Sequence, residues 1–575
     1  MRAWRSGDSA QADNAVASTG LVPTIGSMRP LSLISVWYLI CVGPVFLPIV
    51  RAGDDAWQSM QPAAPLLLNR SDGYNSDGYV GRSTGAGAAR FLGSRSCAAT
   101  SCHGGSVDAH LYQGTSGKEF LIWLENDPHT GSLATLEKAR SQRMIAQLVE
   151  HSSVPATDAT RQRVLDRCYA CHSGGDVLSD NSGKNHFPAH GRDSVSCEAC
   201  HGPAQEWIRE HFQSYWHQLS SDEKAARGMV DTANLMRRAQ ACVKCHVGSP
   251  GRDVDHDLIA AGHPVLKFEF AGYLARLPKH WNGRAERIAN SDFELRVWAA
   301  GQLAAAEASL QQLAMRATAA DHNPAHAAWP EFSEYDCYAC HHDLSSGAAR
   351  QPAPGRAPAQ LFTASRWNVM MAQQWASLIE KDDTAFEFLG ALAGLRDEMQ
   401  RDLVPKPDVV GRSAEETLDS LRRWSAGVAA TTGLDGRLDS ARRFPAASSF
   451  AKIPLRSMLE SLQLQHDDEV SLDWDTATQM YLAAVAWNIG EMDRHRHGWS
   501  NTGFTSMQPR RNNLSASEHA RWLVLRDLRR QLMFPAGQQS PPSPWRVDSQ
   551  GSEQFISQMQ NFLRMLDSHE KPNGA

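Results

Sequence analysis

Residues 168–172 read CYACH, residues 197–201 read CEACH and residues 242–246 read CVKCH. A further CYACH occupies residues 337–341, and a stretched form, CAATSCH, occupies residues 97–103. Each is a pair of cysteines followed at once by a histidine. The thiols are Cys97 and Cys102, Cys168 and Cys171, Cys197 and Cys200, Cys242 and Cys245, and Cys337 and Cys340. The imidazoles are His103, His172, His201, His246 and His341. These motifs use ten of the 11 Cys in the chain, and the eleventh, Cys41, stands alone in an apolar run.

Cys-x-x-Cys-His is the attachment signature of a c-type haem. Two thiols must reach two vinyl groups on one porphyrin edge, and the next residue must carry its imidazole to the iron as proximal ligand. In CAATSCH the two extra residues have to loop outward while the thioether positions stay the same. The competing uses of paired cysteines are disulfides in an exported protein and four-cysteine zinc sites. Neither requires a histidine after every second cysteine. With 23 His in 575 residues, five such coincidences arise by chance with a probability on the order of 10⁻⁷. The reading is five covalently bound haem c groups.

The rest of the composition is ordinary. Hydrophobic residues make up 42% and charged residues 21%, which excludes wholesale disorder, collagen and a many-pass membrane protein. A net charge of −6 argues against nucleic acid as a partner. Covalent haem attachment in bacteria belongs outside the cytoplasmic membrane, so a targeting segment is expected. Arg29 precedes the apolar run from Leu31 to Val50, and Val50-Arg51-Ala52 offers a small-residue cleavage site before Gly53. The run is long enough to span a bilayer. Gly43, Pro44 and Pro48 weaken a spanning helix, which favours a cleaved signal over a retained anchor. Residues 1–52 thus read as an export signal, with Met28 a candidate start, and the mature chain as periplasmic. If residues 31–50 stay uncleaved they provide membrane association.

The expected fold class is mainly α: a multihaem cytochrome domain with sparse regular structure, then a helical C-terminal domain. Residues 53–90 are rich in Gly, Ser and Asp and read as a flexible lead-in. The haem region runs over 91–344, with its clearest helix from Phe293 to Arg316. A Pro/Ala/Gly-rich stretch at 345–360 reads as a linker, and 361–575 is again helical in pattern. There, Trp367, Met370, Met371, Trp375, Leu378 and Ile379 recur at helical spacing, as do Phe555, Ile556, Met559, Phe562, Leu563 and Leu566. Such stripes belong to a core before they belong to a cofactor.

The distal ligand of each iron separates electron transfer from chemistry: a second His closes the iron, and a vacant position admits substrate. Thirteen further His lie between His110 and His342. The haem region resembles the multihaem cytochromes of the cytochrome c-554 type, the tetrahaem electron acceptors of hydroxylamine oxidoreductase. The similarity lies in WLENDPHT (123–130), SCEACHGPA (196–204) with His211 ten residues past His201, and HDLIAAGHP (256–264), and YDCYACHHDL (335–344) is similar to the last motif of related bacterial multihaem proteins. The resemblance implies distal ligation by His129, His211, His256 and His263, with His190 as a fifth candidate and His186 as its rival. His342 cannot face the same iron as His341 and is left for another haem or a propionate. The chain departs from the tetrahaem pattern in its five sites and its stretched first motif.

Two functions follow. In the first, the protein is a periplasmic electron carrier for redox partner proteins, with five haems inside about 245 residues. In the second, an open iron acts on small nitrogen or sulfur compounds. No Cys-x-x-Cys-Lys site occurs, and five haems are fewer than those of the octahaem oxidoreductases, so the carrier is the favoured expectation. A docking role for the cysteine-free C-terminal part is compatible with either.

Overall fold

The structure is a computed structural model. It describes residues 90–105, 117–152, 155–173, 178–179, 185–186, 193–289, 293–324, 327–337, 364–378, 382–434, 474–494, 514–533 and 550–567. The expected export signal, nearly all of the lead-in, the linker, His190, Cys340, His341 and His342 lie outside these residues.

The molecule is mainly helical. The first part of the haem region uses short helices joined by turns: α1 (Glu119–Asn126), α2 (Ala139–Glu150), α3 (Asp158–His172) and α4 (Cys197–His201). The strands among the described residues are one antiparallel pair of two residues each, Leu178–Ser179 with Asn185–His186. Then come α5 (Leu235–His246), α6 (His256–Ala260) and α7 (Phe270–Arg276). Polar side chains start these helices by satisfying free backbone N–H groups: Thr157 for α3, Asn234 for α5, Asp255 for α6 and Glu269 for α7.

The spine is α8 (Phe293–His322), 30 residues long. The periodicity of its large apolar residues marks the segment as far as Arg316, and the alanine-rich end carries the helix on to His322. Its residues are buried on every side rather than along one stripe, as expected of a helix enclosed by others. Ala299, Ala300, Ala304 and Ala306 keep it slender enough for close neighbours. At Gly301 a Cβ would lie 2.4 Å from Cβ of Phe270, so glycine is what allows α7 to rest on α8.

Around the spine pack α9 (Met370–Ala376), α11 (Pro407–Thr432) and α12 (Trp474–Arg494), with α5 on the haem side. Helix α10 (Asp383–Arg401) lies on α11, and α13 (Ala516–Leu532) joins α12 to α14 (Gln550–Asp567). Helix α11 begins with Pro407 in its first turn and stops at Gly433, whose φ of 72° is left-handed. Phe388 of α10 stacks on Trp424 of α11 at 5.5 Å. The stripes at Met370, Met371 and Trp375 and at Phe555, Met559 and Phe562 are buried in this core.

One hydrophobic core thus runs from Leu235 to Leu566, across the position of the expected linker. Polar links cross it as well. The Trp367 indole N–H donates to the Phe268 carbonyl at 3.0 Å, and the Gln479 amide donates to the Trp367 carbonyl at 3.1 Å. No described helix is long and apolar enough to cross a membrane.

Candidate haem centres

Local helix geometry explains why these motifs work. In α3, α4 and α5 the two Cys stand three residues apart and the His four after the first Cys, so all three side chains share one helix face. Helix α3 ends on His172, α4 on His201 and α5 on His246. In the stretched motif a short helical turn, Ser94–Cys97, ends on the first thiol. The inserted residues then fold into a turn, with the N–H groups of Cys102 and Gly104 both donating to the Ala99 carbonyl at 2.9 and 3.0 Å. A Cβ on Gly104 would fall 2.0 Å from the Ala98 oxygen, so only glycine closes that turn. Of the fifth motif, Cys337 is described.

Three motif imidazoles lie close to a second imidazole from distant sequence. His103 and His211 have ring centres 6.1 Å apart, His246 and His129 6.2 Å, and His201 and His280 6.3 Å. A metal–imidazole bond of about 2 Å, plus about 1.2 Å from nitrogen to ring centre, places two imidazoles facing across one iron at about 6.4 Å. The three separations match that spacing. His263 lies within the electrostatic reach of His172, which lowers its proton affinity after the larger effect of burial.

The outer nitrogens of these rings are held. The His172 Nδ1–H donates to the Ser132 carbonyl at 3.0 Å, His211 to Ile208 at 2.9 Å and His263 to Pro264 at 2.8 Å. His129 Nδ1 bonds Asp127 Oδ1 at 2.8 Å, and His103 Nδ1 bonds Glu119 Oε2 at 3.1 Å. Bonding at Nδ1 orients the ring and leaves Nε2 with its lone pair for a metal, the usual outer-shell arrangement of ligating histidine. Burial keeps two motif rings neutral, pushing His201 down to about 3 and His246 down to about 4. His246 is further fixed by stacking on Phe268 at 4.9 Å.

His256, expected as a distal ligand, has its ring against Phe332 at 5.7 Å and its backbone N–H on Glu331. His280 was not among the candidates. It sits in LPKHWNG beside Trp281, outside every recognisable motif, and only its place across from His201 marks it.

The motifs also come together. The Cys97 thiol lies beside that of Cys197, and the Cys171 thiol beside that of Cys245, close enough for each to perturb the other. Helix α4 packs on α5. In space the first motif therefore adjoins the third, the third the fourth, and the fourth the second.

Residues 97–202, which hold the first three motifs and His129, match the family model described as cytochrome c554 and c-prime. This segment is similar to the c554 family of c-type cytochromes. A cytochrome c554 segment implies haem c and a part in electron transfer, and the paired thiols and facing imidazoles form a donor set that fits haem c. No curated protein and no solved structure matches the chain.

Proposed function

We propose that the chain is an exported electron carrier holding five haem c groups, one on each Cys-His motif, and that it passes electrons between redox partner proteins. The observation that carries this reading is the set of three imidazole pairs at 6.1 to 6.3 Å. We assign axial ligation to His103 with His211, His246 with His129, His201 with His280, and His172 with His263. His341 is the proximal ligand of the fifth site, and its distal partner is drawn from His190 and His256. Bound haem c supplies one-electron iron chemistry at a potential set by axial ligands, charge and burial.

The residues of the chain do the rest. Asp127 and Glu119 hold His129 and His103 in orientation and add negative charge behind the ring, while Trp207, Phe268 and Tyr273 exclude water from neighbouring imidazoles. Closure by a second imidazole favours carriage over catalysis, because it leaves no position on the iron for a substrate. The adjacency of the motifs supports a continuous route through the domain without moving parts. The apolar run at 31–50 with Val50-Arg51-Ala52 supports export to the periplasm.

The test is covalent haem quantitation on the purified protein together with its electron paramagnetic resonance spectrum. Five haems per chain with low-spin bis-imidazole signals are expected. Fewer than four covalent haems, or a dominant high-spin signal that shifts with nitric oxide, nitrite or hydroxylamine, overturns the carrier.

A further inference from the structure

Where the haem region meets the C-terminal helices, cations are matched by carboxylates. Lys267 pairs with Asp475, and its ammonium lies over the rings of Trp367 and Trp474 at 5.2 and 5.1 Å. Arg316 pairs with Glu334 and Asp253. Arg366 and Arg396 differ. Both are half-buried, and among the described residues neither has an ion-pair partner.

Packing brings these two side chains together. Arg366 leads into α9, its carbonyl accepting from the N–H groups of Val369 and Met370 at 3.1 and 2.9 Å. Arg396 and Gln400 stand one turn apart on α10, so they share a face, and both reach this segment. Arg396 donates to the Gln373 amide oxygen at 2.7 Å, and the Gln400 amide oxygen accepts from the Ala364 N–H at 3.4 Å. Burial, and after it the charge of Arg366, push Arg396 down to about 10, which leaves it charged at neutral pH. Nε of Arg366 and Nη2 of Arg396 are shut off from solvent and have no hydrogen-bond partner among the described residues. A buried donor left unmet is destabilising, more so on a charged group, and two like charges add repulsion.

Such a pair calls for an anion. A guanidinium presents paired N–H groups that match two oxygens of one carboxylate or phosphate. Two guanidinium groups match a phosphate group, which carries a charge of about −1.5 to −2 at pH 7, better than a singly charged carboxylate. We propose that Arg366 and Arg396, with Gln373 holding Arg396 in place, form a binding site for a phosphate group, on the free ion or on a small phosphate ester. The site is independent of the number of haems. It adjoins the contacts that fasten the C-terminal helices to the start of the fifth motif: the Ser365 N–H donates to the Glu334 carbonyl at 2.8 Å, and the Tyr335 hydroxyl to the Met399 carbonyl at 3.3 Å. An anion between the two arginines removes their repulsion and tightens that grip.

The test uses full-length holoprotein prepared without phosphate. Calorimetric titration with inorganic phosphate and with glycerol phosphate is run beside thermal unfolding followed by circular dichroism. Saturable binding is expected, with a rise in Tm that chloride at the same ionic strength does not reproduce. Arg366→Gln and Arg396→Gln should each weaken binding by about tenfold or more. Because each removes half of the repelling pair, both should unfold above wild type in phosphate-free buffer. Arg396→Lys keeps the charge without the fork and should also bind more weakly. Arg412→Gln is the control, since Arg412 is exposed and paired with Asp408, and it should bind as wild type does. Tighter binding of glycerol phosphate than of inorganic phosphate assigns the site to an ester, and the reverse assigns it to the free ion. No saturable binding by wild type, an equal response to chloride, or undiminished binding in both Gln variants overturns the site. Loss of binding together with a lower unfolding temperature in both Gln variants marks a purely structural role and overturns it as well.

Discussion

Replacing Asp127 with asparagine separates charge from geometry at one candidate iron ligand. The Asp127 carboxylate is 6% exposed, and one oxygen, Oδ1, accepts from both the backbone N–H of His129 at 2.9 Å and its Nδ1 at 2.8 Å. An asparagine oxygen at the same position keeps both acceptor roles, so the ring stays where it is. What is lost is the negative charge. Hydrogen bonds to charged groups contribute about 1.5–3 kcal/mol and neutral ones about 0.5–1.5, so the difference is about 1–1.5 kcal/mol. The site is buried, so salt screens little of this. Because a carboxylate behind the ring makes the imidazole a stronger donor, the loss falls mainly on the oxidised iron. For a one-electron couple that corresponds to a rise of about 40–60 mV in the potential of the haem whose proximal ligand is His246. Potentiometric titration of Asp127→Asn holoprotein should show one component moving up and the others in place. An unmoved titration curve, with the haem count unchanged, would refute the assignment of His129. Asp127→Ala, which also frees the ring, should add a partial high-spin signal that Asp127→Asn lacks.

Four further outcomes follow from the structure. His280→Ala should convert one haem from low-spin to high-spin, read by electron paramagnetic resonance, while His256→Ala should leave the haem of His201 unchanged. Burial raises Glu269 from 4.5 to about 7, so the folded protein binds a proton that the unfolded chain releases. Stability from this group is therefore full below pH 4.5 and is lost as pH rises to about 7, by about 3 kcal/mol; Glu269→Gln should flatten that part of the pH dependence of the denaturant midpoint. Gly301→Ala gains about 1 kcal/mol of helix propensity but overpacks against Phe270 at a cost of about 1–3 kcal/mol, so unfolding followed by circular dichroism should show a net loss. Gly390→Ala and Gly394→Ala, with open space around them in α10, should instead stabilise by up to about 1 kcal/mol each.

What was legible in the sequence was whatever covalent chemistry confines to a few residues. Thiol spacing and the adjoining histidine are set by one porphyrin edge, so the motifs stand out however the chain folds. The second imidazoles obey no such local rule. His211 lies 108 residues from His103 (211 minus 103), and His280 lies 79 from His201 (280 minus 201). His129 and His211 lie in elements shared with a known family, whereas His280 lies outside those elements and nothing in the sequence singles it out. The same distinction holds for the fold. Helical period revealed the buried faces of α9 and α14, but period tells which side of a helix is covered and not what covers it. That α8 belongs as much to the C-terminal helices as to the haem region is a fact of packing between residues far apart in sequence.

The ion pair between Lys267 and Asp475 joins residues 208 positions apart. Contacts of that sequence separation carry a large closure entropy and form late in folding. A chain synthesised from its N-terminus would therefore present Lys267 on an unfinished surface until the segment around Asp475 arrived. That meeting brings Trp474 and Asp475 to Lys267 together, so that a carboxylate and a second indole ring reach one ammonium at the same stage of folding.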